Sequence, residues 1–218
     1  MNPDSVGVPL SPGAPAPDFV LPAVHRDGTV SLAEYKGRTA LLLTIFRGLY
    51  CPFCRRAIAQ LSAMNGRLRA AGAEVLAVVA TDPDKAKVYF RLRPAAMPLA
   101  ADPECATHAA YGVPAPQIDA QAMQQLASIR INPNGELAQP VGLFEAGPAL
   151  NALDGYTFDA IDQRDVERQA TQFTGQFLLD REGVVRWANI ECARDGVAAG
   201  FGRIPTEDEL LGAIATLH

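Results

Sequence analysis

The chain has 218 residues, of which 49% are apolar and 20% are charged, and its net charge is −5. These values are typical of a globular protein with a hydrophobic core and argue against a disordered or collagen-like chain. The acidic balance argues against nucleic acid as the main partner. The longest apolar run, 40–46, is far shorter than the roughly 18 residues that a membrane-spanning helix needs.

The N-terminal residues 1–17 are rich in proline, glycine and small side chains and show no periodicity. We predict that they form a flexible arm. They have neither a basic start nor a hydrophobic core of their own, as a secretory signal peptide would. We therefore expect a cytoplasmic protein whose ordered domain begins near residue 18.

The first half of the ordered chain alternates strands and helices. Asp27-Gly28 suits a tight turn and predicts a hairpin around it. The continuous apolar run at 39–46 predicts a central strand covered on both faces, and apolar residues spaced by three and four predict a helix over 52–71. The other predicted elements are a strand at 74–80, a helix from 83 to 92 capped by Asp82, a strand near 97–102 and a short helix over 103–111. This order predicts an α/β fold.

The second half is less regular. Between residues 114 and 173 the chain is rich in glutamine and alanine and is interrupted by prolines and glycines, so we predict an insertion that is helical only over 118–130 and 159–170. Beyond it, the predicted elements are a hairpin at 175–190 and a helix over 206–217. Without the 114–173 segment the chain has about the length of one small domain, and we predict a single domain from residue 18 to the end.

The pair Cys51 and Cys54 lies between a predicted strand and the start of a predicted helix. Free N–H groups at a helix start stabilise a thiolate and lower its pKa. Pro52 suits the first helical turn, where its missing N–H would have no partner. Further positive charge nearby in the sequence comes from Arg47, Arg55 and Arg56. Cys51 is therefore the candidate nucleophile, and Cys54 can close a disulfide with it.

Structural alternatives for this pair are a zinc half-site and two buried thiols. A zinc site would need a second pair of ligands, whereas Cys105 and Cys192 each stand alone. We therefore expect no metal and no other cofactor. Cys105 is predicted to be a small hydrophobic residue buried in a short helix, and the alternative is a secondary redox role. Cys192 lies in a predicted loop and is either a bystander or an accessory resolving or glutathionylated thiol.

Four segments of the sequence resemble a known family. They are the hairpin at 19–38, the Cys51-Pro52-Phe53-Cys54 motif with its flanking strand and helix, the stretch 97–113 and the hairpin at 175–190. Together they resemble the peroxiredoxin-like (AhpC/TSA) branch of the thioredoxin-fold superfamily, in particular a subgroup with an aromatic-Cys-Pro-aromatic-Cys motif. The resemblance covers residues 15–113 and 174–217. It implies a thioredoxin fold, with a central mixed sheet flanked by helices and an N-terminal hairpin.

The resemblance also implies roles for individual residues. Cys51 would be the peroxidatic cysteine and Cys54 the resolving one, and Arg47 would hold the thiolate. The active-site motif would further contain Gly48, Tyr50, Pro52, Phe53 and Arg55. A homodimer is implied by the resemblance alone.

Three positions depart from the family pattern. Gly48 replaces the Thr or Ser three residues before the peroxidatic cysteine, and Thr44 replaces the Pro seven residues before it. Thr174 stands near the point where the family usually has an Arg, so Arg47 is the candidate substitute as a clamp on the peroxide. Thioredoxins and disulfide isomerases have a cis-proline before the same strand, and this chain has no proline there.

Three functions therefore remain open. The first is a thiol-dependent peroxidase, in which Cys51 reduces a hydroperoxide, Cys54 condenses with it, and thioredoxin, glutaredoxin or glutathione restores both thiols. The second is a thiol–disulfide oxidoreductase that uses the same two sulfurs. The third is a redox-sensing or partner-binding protein that uses the 114–173 segment. That segment is either a packing element or dimer contact, or a lid over Cys51.

Overall fold

The computed structural model of the chain describes residues 8–169 and 171–217. The first half contains β1 (Val20–Pro22), β2 (Thr29–Ser31), β3 (Ala40–Phe46), α1 (Pro52–Ala70), β4 (Ala73–Val79), α2 (Pro83–Leu92), β5 (Leu99–Ala101) and α3 (Ala106–Ala110). The second half contains α4 (Ala120–Ser128), β6 (Arg130–Ile131), β7 (Val141–Gly142), α5 (Leu143–Asp154), α6 (Ala160–Gln169), β8 (Gly175–Leu179), β9 (Val185–Ile190), α7 (Gly196–Gly200) and α8 (Glu207–Ala215). None of the helices in these ranges is long and apolar enough to cross a membrane.

A five-stranded mixed sheet in the order β5-β4-β3-β8-β9 forms the centre of the fold. β3 pairs in parallel with β4 and antiparallel with β8, so it is the central strand that its apolar sequence predicts. β1 and β2 form the predicted hairpin around Gly28. Helices flank the sheet, which confirms the predicted α/β class with a thioredoxin-like mixed sheet.

The hydrophobic core lies in two layers, one on each face of the sheet. Leu42 and Phe46 of β3 contribute to the layer that contains α1 and α8. Leu41 and Leu43 point to the opposite face and pack with the β1-β2 hairpin and Tyr111. This alternation follows from the two-residue period of a strand. Burying a leucine side chain fully is worth about 1.5–3 kcal/mol, so the two layers fix which side of β3 faces α1.

Residues 8–17 correct the prediction of a flexible arm. The N–H groups of Gly13 and Ala16 donate to the carbonyls of Val185 and Gly183, and the N–H of Val185 donates to the carbonyl of Ala14. Prolines in this stretch alternate with residues that keep their N–H groups, so the extended chain still pairs with the start of β9. This part of the predicted arm is anchored on the domain, and residues 1–7 lie outside the described residues.

The 114–173 segment is more regular than predicted. α4 and α6 agree with the two predicted helices, but α5 and the short β6-β7 pair lie where only irregular structure was predicted. Pro148 lies inside α5 and had suggested a break in any helix there. The helix forms nevertheless, because Leu143 and Leu150 bury one of its faces and Glu145 caps its start. After the segment, the chain re-enters the same sheet through β8. This return supports our proposal that residues 114–173 are an insertion within one domain.

Candidate active site

Cys51 caps the N-terminus of α1. Its sulfur accepts a hydrogen bond from the backbone N–H of Cys54 at 3.3 Å, in the way that a serine oxygen caps a helix. Pro52 occupies the first helical turn, as predicted. The turn before the helix is closed by a hydrogen bond from the N–H of Cys51 to the carbonyl of Gly48 at 3.1 Å. The strand, turn and helix together place the sulfur at the N-terminus of α1, where it accepts the N–H of Cys54.

Arg47 supplies a cation at this sulfur. Its Nε–H donates to Cys51 Sγ at 3.4 Å. The same guanidinium binds the carboxylate of Glu191 through two hydrogen bonds, from Nη1 to Oε2 at 2.8 Å and from Nη2 to Oε1 at 3.0 Å. Nη1 also donates to the carbonyl of Gln172 at 2.8 Å. Both members of the ion pair are buried, so water screens this charge only weakly.

The two thiols of the pair have opposite pKa shifts. Burial by itself raises the pKa of Cys51, but hydrogen bonds from the Cys54 thiol and Arg47 and the charge of Arg47 outweigh it and lower the pKa to about 6. The pKa of Cys54 is raised well above that of a free thiol, because this group is buried and lies beside Cys51. At neutral pH Cys51 is therefore the thiolate and Cys54 the protonated donor.

Gly48 stands where the family pattern has a hydroxyl residue, and its surroundings leave little space for one. A Cβ at this position would lie 3.0 Å from the carbonyl oxygen of Ala80 and 3.1 Å from Oδ2 of Asp165. The N–H of Gly48 donates to the side-chain oxygen of Gln169 at 2.9 Å. Tyr50, next along the motif, donates its hydroxyl to the backbone carbonyl of Gln169 at 3.3 Å, and burial raises its pKa. Gly48 and Tyr50 therefore both bind Gln169, the last residue of α6.

Of the three arginines predicted near the sulfur, Arg47 is the one that contacts it. Arg55 donates to Asp154 at 2.6 Å, and its guanidinium stacks over the ring of Tyr156 at 4.0 Å. Arg56 binds the same carboxylate through both terminal nitrogens, at 2.8 and 2.6 Å. Arg55 and Arg56 therefore join the first turn of α1 to α5 and its following loop.

The site is nearly closed to solvent. Cys51 is 4% exposed and Cys54 is 2% exposed. Beside Cys54 lies a void of about 10 Å³, lined in part by Phe53 and Gly202, which is about the smallest volume that holds one water molecule. The ring of Phe53 packs edge-on against Phe201, with ring centroids 5.2 Å apart. Phe53 is therefore a wall of the site, and residues 200–204 form its cover.

Glu191 is the residue that sequence reasoning missed. Besides Arg47, its carboxylate accepts the N–H of Gly202 at 2.8 Å and the N–H of Thr174 at 3.0 Å. An acidic residue at the end of a strand, followed by a predicted loop, looks like a surface residue. The one available signal was indirect, because an arginine beside a buried motif needs a carboxylate partner.

The two remaining cysteines lie apart from the pair. Cys105 precedes α3 with φ of 54° and is half-buried, which corrects the prediction that it is buried within the helix. Cys192 follows β9 with φ of 63° and lines a pocket of about 520 Å³. Burial raises the pKa of each thiol to about 12. Neither is a thiolate at neutral pH.

Comparison with known proteins agrees with the thioredoxin-like fold. A family model described as the AhpC/TSA family matches residues 12–139. Peroxidoxin BcpB from Mycobacterium tuberculosis has a similar structure, with a TM-score of 0.57 and 12% identity over 95% of this chain and 97% of that chain. The reduced 2-Cys peroxiredoxin of Plasmodium vivax gives a TM-score of 0.57 and 15% identity over 94% of each chain. A Chlorobium tepidum structure assigned as the thiol:disulfide interchange protein DsbE gives 0.52 and 20% identity over 95% of this chain and 98% of that chain.

The likenesses to the three solved structures concern the fold. Among curated protein sequences, none matches the chain at a significant level. At identities of 20% or less, the solved structures show a shared thioredoxin-like fold. The resemblance drawn from the four sequence segments is confirmed.

Proposed function

The chain belongs to the AhpC/TSA family, and from this premise we propose that it is a thiol-dependent peroxidase in which Cys51 reduces a hydroperoxide and Cys54 resolves the product. It is a peroxiredoxin-like oxidoreductase. The observation that carries the proposal is the surroundings of Cys51 Sγ, which receives the N–H of Cys54 and the Nε–H of Arg47. A sulfur held in this way is a thiolate at neutral pH, and the thiolate is the nucleophile that attacks peroxides.

The reaction needs two thiols and an external reductant. The Cys51 thiolate attacks one peroxide oxygen, so an S–O bond forms, the O–O bond breaks, and the alcohol or water leaves after taking up a proton. The resulting sulfenic acid loses water when the sulfur of Cys54 forms a disulfide with it. Two equivalents of an external thiol then reduce this disulfide and are themselves oxidised to a disulfide.

Among the residues that the structure describes, the partners of Arg47 leave one of its N–H groups free for a substrate. A guanidinium has five N–H groups, and Cys51, Gln172 and Glu191 occupy four of those of Arg47. The remaining N–H belongs to Nη2. In this proposal Arg47 holds the thiolate with Nε and uses the free Nη2 N–H to polarise the peroxide.

The test compares wild type with Cys51→Ser and Cys54→Ser in hydrogen peroxide and organic hydroperoxide consumption. Thioredoxin, glutaredoxin and glutathione serve in turn as the reductant. We expect Cys51→Ser to lose turnover and Cys54→Ser to lose the intramolecular disulfide, which mass spectrometry of the oxidised protein detects. Peroxide consumption by Cys51→Ser at the wild-type rate would refute the proposal, with Cys105→Ser as the matched control that keeps full activity.

A second candidate function is a thiol–disulfide oxidoreductase acting on protein or small-molecule disulfides. It is favoured by the absence of a hydroxyl at Gly48 and by the Cys54 thiol that hydrogen-bonds to Cys51. The interchange protein DsbE named above carries its name for such chemistry. Faster reduction of a disulfide substrate than of a peroxide, at matched concentrations, would favour this function over the first.

The cellular setting is part of the same proposal. We propose a cytoplasmic protein, where glutathione and thioredoxin systems keep such pairs reduced, and a homodimer. Size-exclusion chromatography with light scattering tests the homodimer, and cell fractionation tests the compartment. A monomer at micromolar concentration would contradict the first expectation.

A further inference from the structure

Glu191 is the most completely bound carboxylate near the pair of thiols. Its side chain is fully buried, and its two oxygens accept four hydrogen bonds, two from Arg47 and one each from the N–H groups of Thr174 and Gly202. Thr174 precedes β8 and Gly202 belongs to the cover of the site. Both backbone donors are fixed by the fold, so the position of the carboxylate is set independently of Arg47.

We propose that Glu191 is a positioning residue for the thiolate: its carboxylate fixes the Arg47 guanidinium in the orientation that directs Nε–H at Cys51 Sγ. This inference rests on the proposed function, because it concerns the thiolate that the peroxidase uses. It adds a residue that the cysteine motif does not contain and that lies 140 positions away from Cys51 in the chain.

The geometry of the guanidinium supports the proposal. A bidentate carboxylate lies in the plane of the guanidinium and fixes both its place and its rotation. Arg47 binds Glu191 along its Nη1–Nη2 edge, which leaves the Nε–H to point away from the carboxylate, and Cys51 Sγ receives it. Arg47 also donates to the carbonyl of Gln172, and the ring of Phe201 lies 5.1 Å from its guanidinium carbon. Each of these is a single contact, whereas the carboxylate binds the guanidinium at two nitrogens.

A simple counter-charge would act in the opposite direction. Glu191 is negative, and a negative charge near a thiolate disfavours that thiolate. If the carboxylate only neutralised Arg47, its removal would stabilise the Cys51 thiolate. If it positions Arg47, its removal would weaken the Nε–H contact and destabilise the thiolate. The two roles therefore predict shifts of opposite sign in the titration of Cys51.

The experiment measures the pH dependence of Cys51 alkylation by iodoacetamide, with mass spectrometry to follow each cysteine separately. In Glu191→Gln we expect the titration midpoint of Cys51 to rise by about one pH unit, which lowers the thiolate fraction at pH 5 roughly tenfold and the alkylation rate about threefold, because the less acidic thiolate is more nucleophilic. Glu209→Gln is the matched control, since Glu209 is a nearby carboxylate whose partners are Arg194 and Thr206. An unchanged or lowered midpoint in Glu191→Gln would overturn the proposal.

A double-mutant comparison tests whether Glu191 acts through Arg47. In the Arg47→Gln background, the further change Glu191→Gln removes the second member of the pair, and we expect less than a twofold additional change in rate at pH 5. A threefold fall in that background as well would mean that Glu191 acts on the sulfur without Arg47, which contradicts the positioning role. If Glu191→Gln alone does not fold, as judged by circular dichroism, Glu191→Asp replaces it with the same expected direction.

These results are independent of the peroxidase assay. Alkylation needs no peroxide and no reductant, so the positioning role can fail while the peroxidase activity stands. Conversely, a wild-type protein that consumes no peroxide would refute the proposed function, while the shift in the Cys51 titration would still be measurable.

Discussion

Cys51 and Cys192 both follow the end of a strand of the central sheet, yet their thiols are opposite in character. Cys51 is almost fully buried, and its pKa is lowered to about 6. Cys192 is only partly buried and lines a pocket of about 520 Å³, and its pKa is raised to about 12 by burial and by the charge of Glu191. Burial alone therefore does not decide which thiol is activated. The difference lies in the partners of the sulfur, since hydrogen bonds from Cys54 and Arg47 and the charge of Arg47 outweigh burial at Cys51.

The largest expected effect is the difference in alkylation between these two cysteines. At pH 7 the fraction of thiolate differs by about five orders of magnitude, and the lower intrinsic nucleophilicity of the more acidic thiolate removes about three of them. We expect Cys51 to be alkylated by iodoacetamide on the order of 100-fold faster than Cys192, with a rate that rises with pH through about 6 and then stays level. Peptide mapping at a series of pH values measures both rates in one sample. Faster modification of Cys192 would mean that access outweighs charge.

A second prediction concerns Gly48, the motif residue that stands where the family pattern has a hydroxyl side chain. Gly48→Ser places a side chain within 3.0 Å of the carbonyl oxygen of Ala80. We expect it to lower the free energy of unfolding by about 1–3 kcal/mol, as overpacking does, without raising peroxide turnover. Urea denaturation measures the first quantity. The matched control is Gly66→Ser, where a Cβ meets no atom within 4 Å. Higher peroxide turnover by Gly48→Ser would contradict the prediction, because it would mean that the neighbours of Gly48 move to admit the hydroxyl.

The smallest expected effect on the Cys51 titration is that of Asp154, whose partners Arg55 and Arg56 lie near the site without contacting the sulfur. Asp154→Asn removes the carboxylate that binds Arg55 and Arg56. Because Asp154 is partly exposed, we expect a loss of about 1 kcal/mol in the free energy of unfolding and no shift in the Cys51 titration. Glu74→Gln, which removes an exposed ion pair with Arg69, is the control and is expected to change stability less. A clear rise of the Cys51 midpoint in Asp154→Asn would extend the thiolate environment to α5.

Local sequence signals predicted much of this molecule. The apolar run of β3, the spacing of apolar residues in α1 and the Asp82 cap each depend on residues close in sequence, and the structure confirms all three. Cys51 at a helix start belongs to the same class of signal. Local signals also misled, since Pro148 suggested a break inside α5.

Long-range partners could not be predicted in this way. Glu191 and Arg47 are separated by 144 positions, and nothing in the residues beside either one indicates the other. Their pairing depends on how β8 and β9 join the sheet beside β3. The sequence therefore indicated Cys51 as the candidate nucleophile, whereas the structure was needed to identify Glu191 as the partner of Arg47.

The stretch 8–17 has a consequence for how the protein behaves at high concentration. β9 is an outer strand of the sheet, and an open outer strand offers unpaired N–H and C=O groups to another molecule. Gly13 and Ala14 occupy the C=O and N–H groups of Val185, where β9 begins. A shortened chain that starts at residue 18 would leave these two groups without their partners, so we expect it to aggregate more readily through the start of β9.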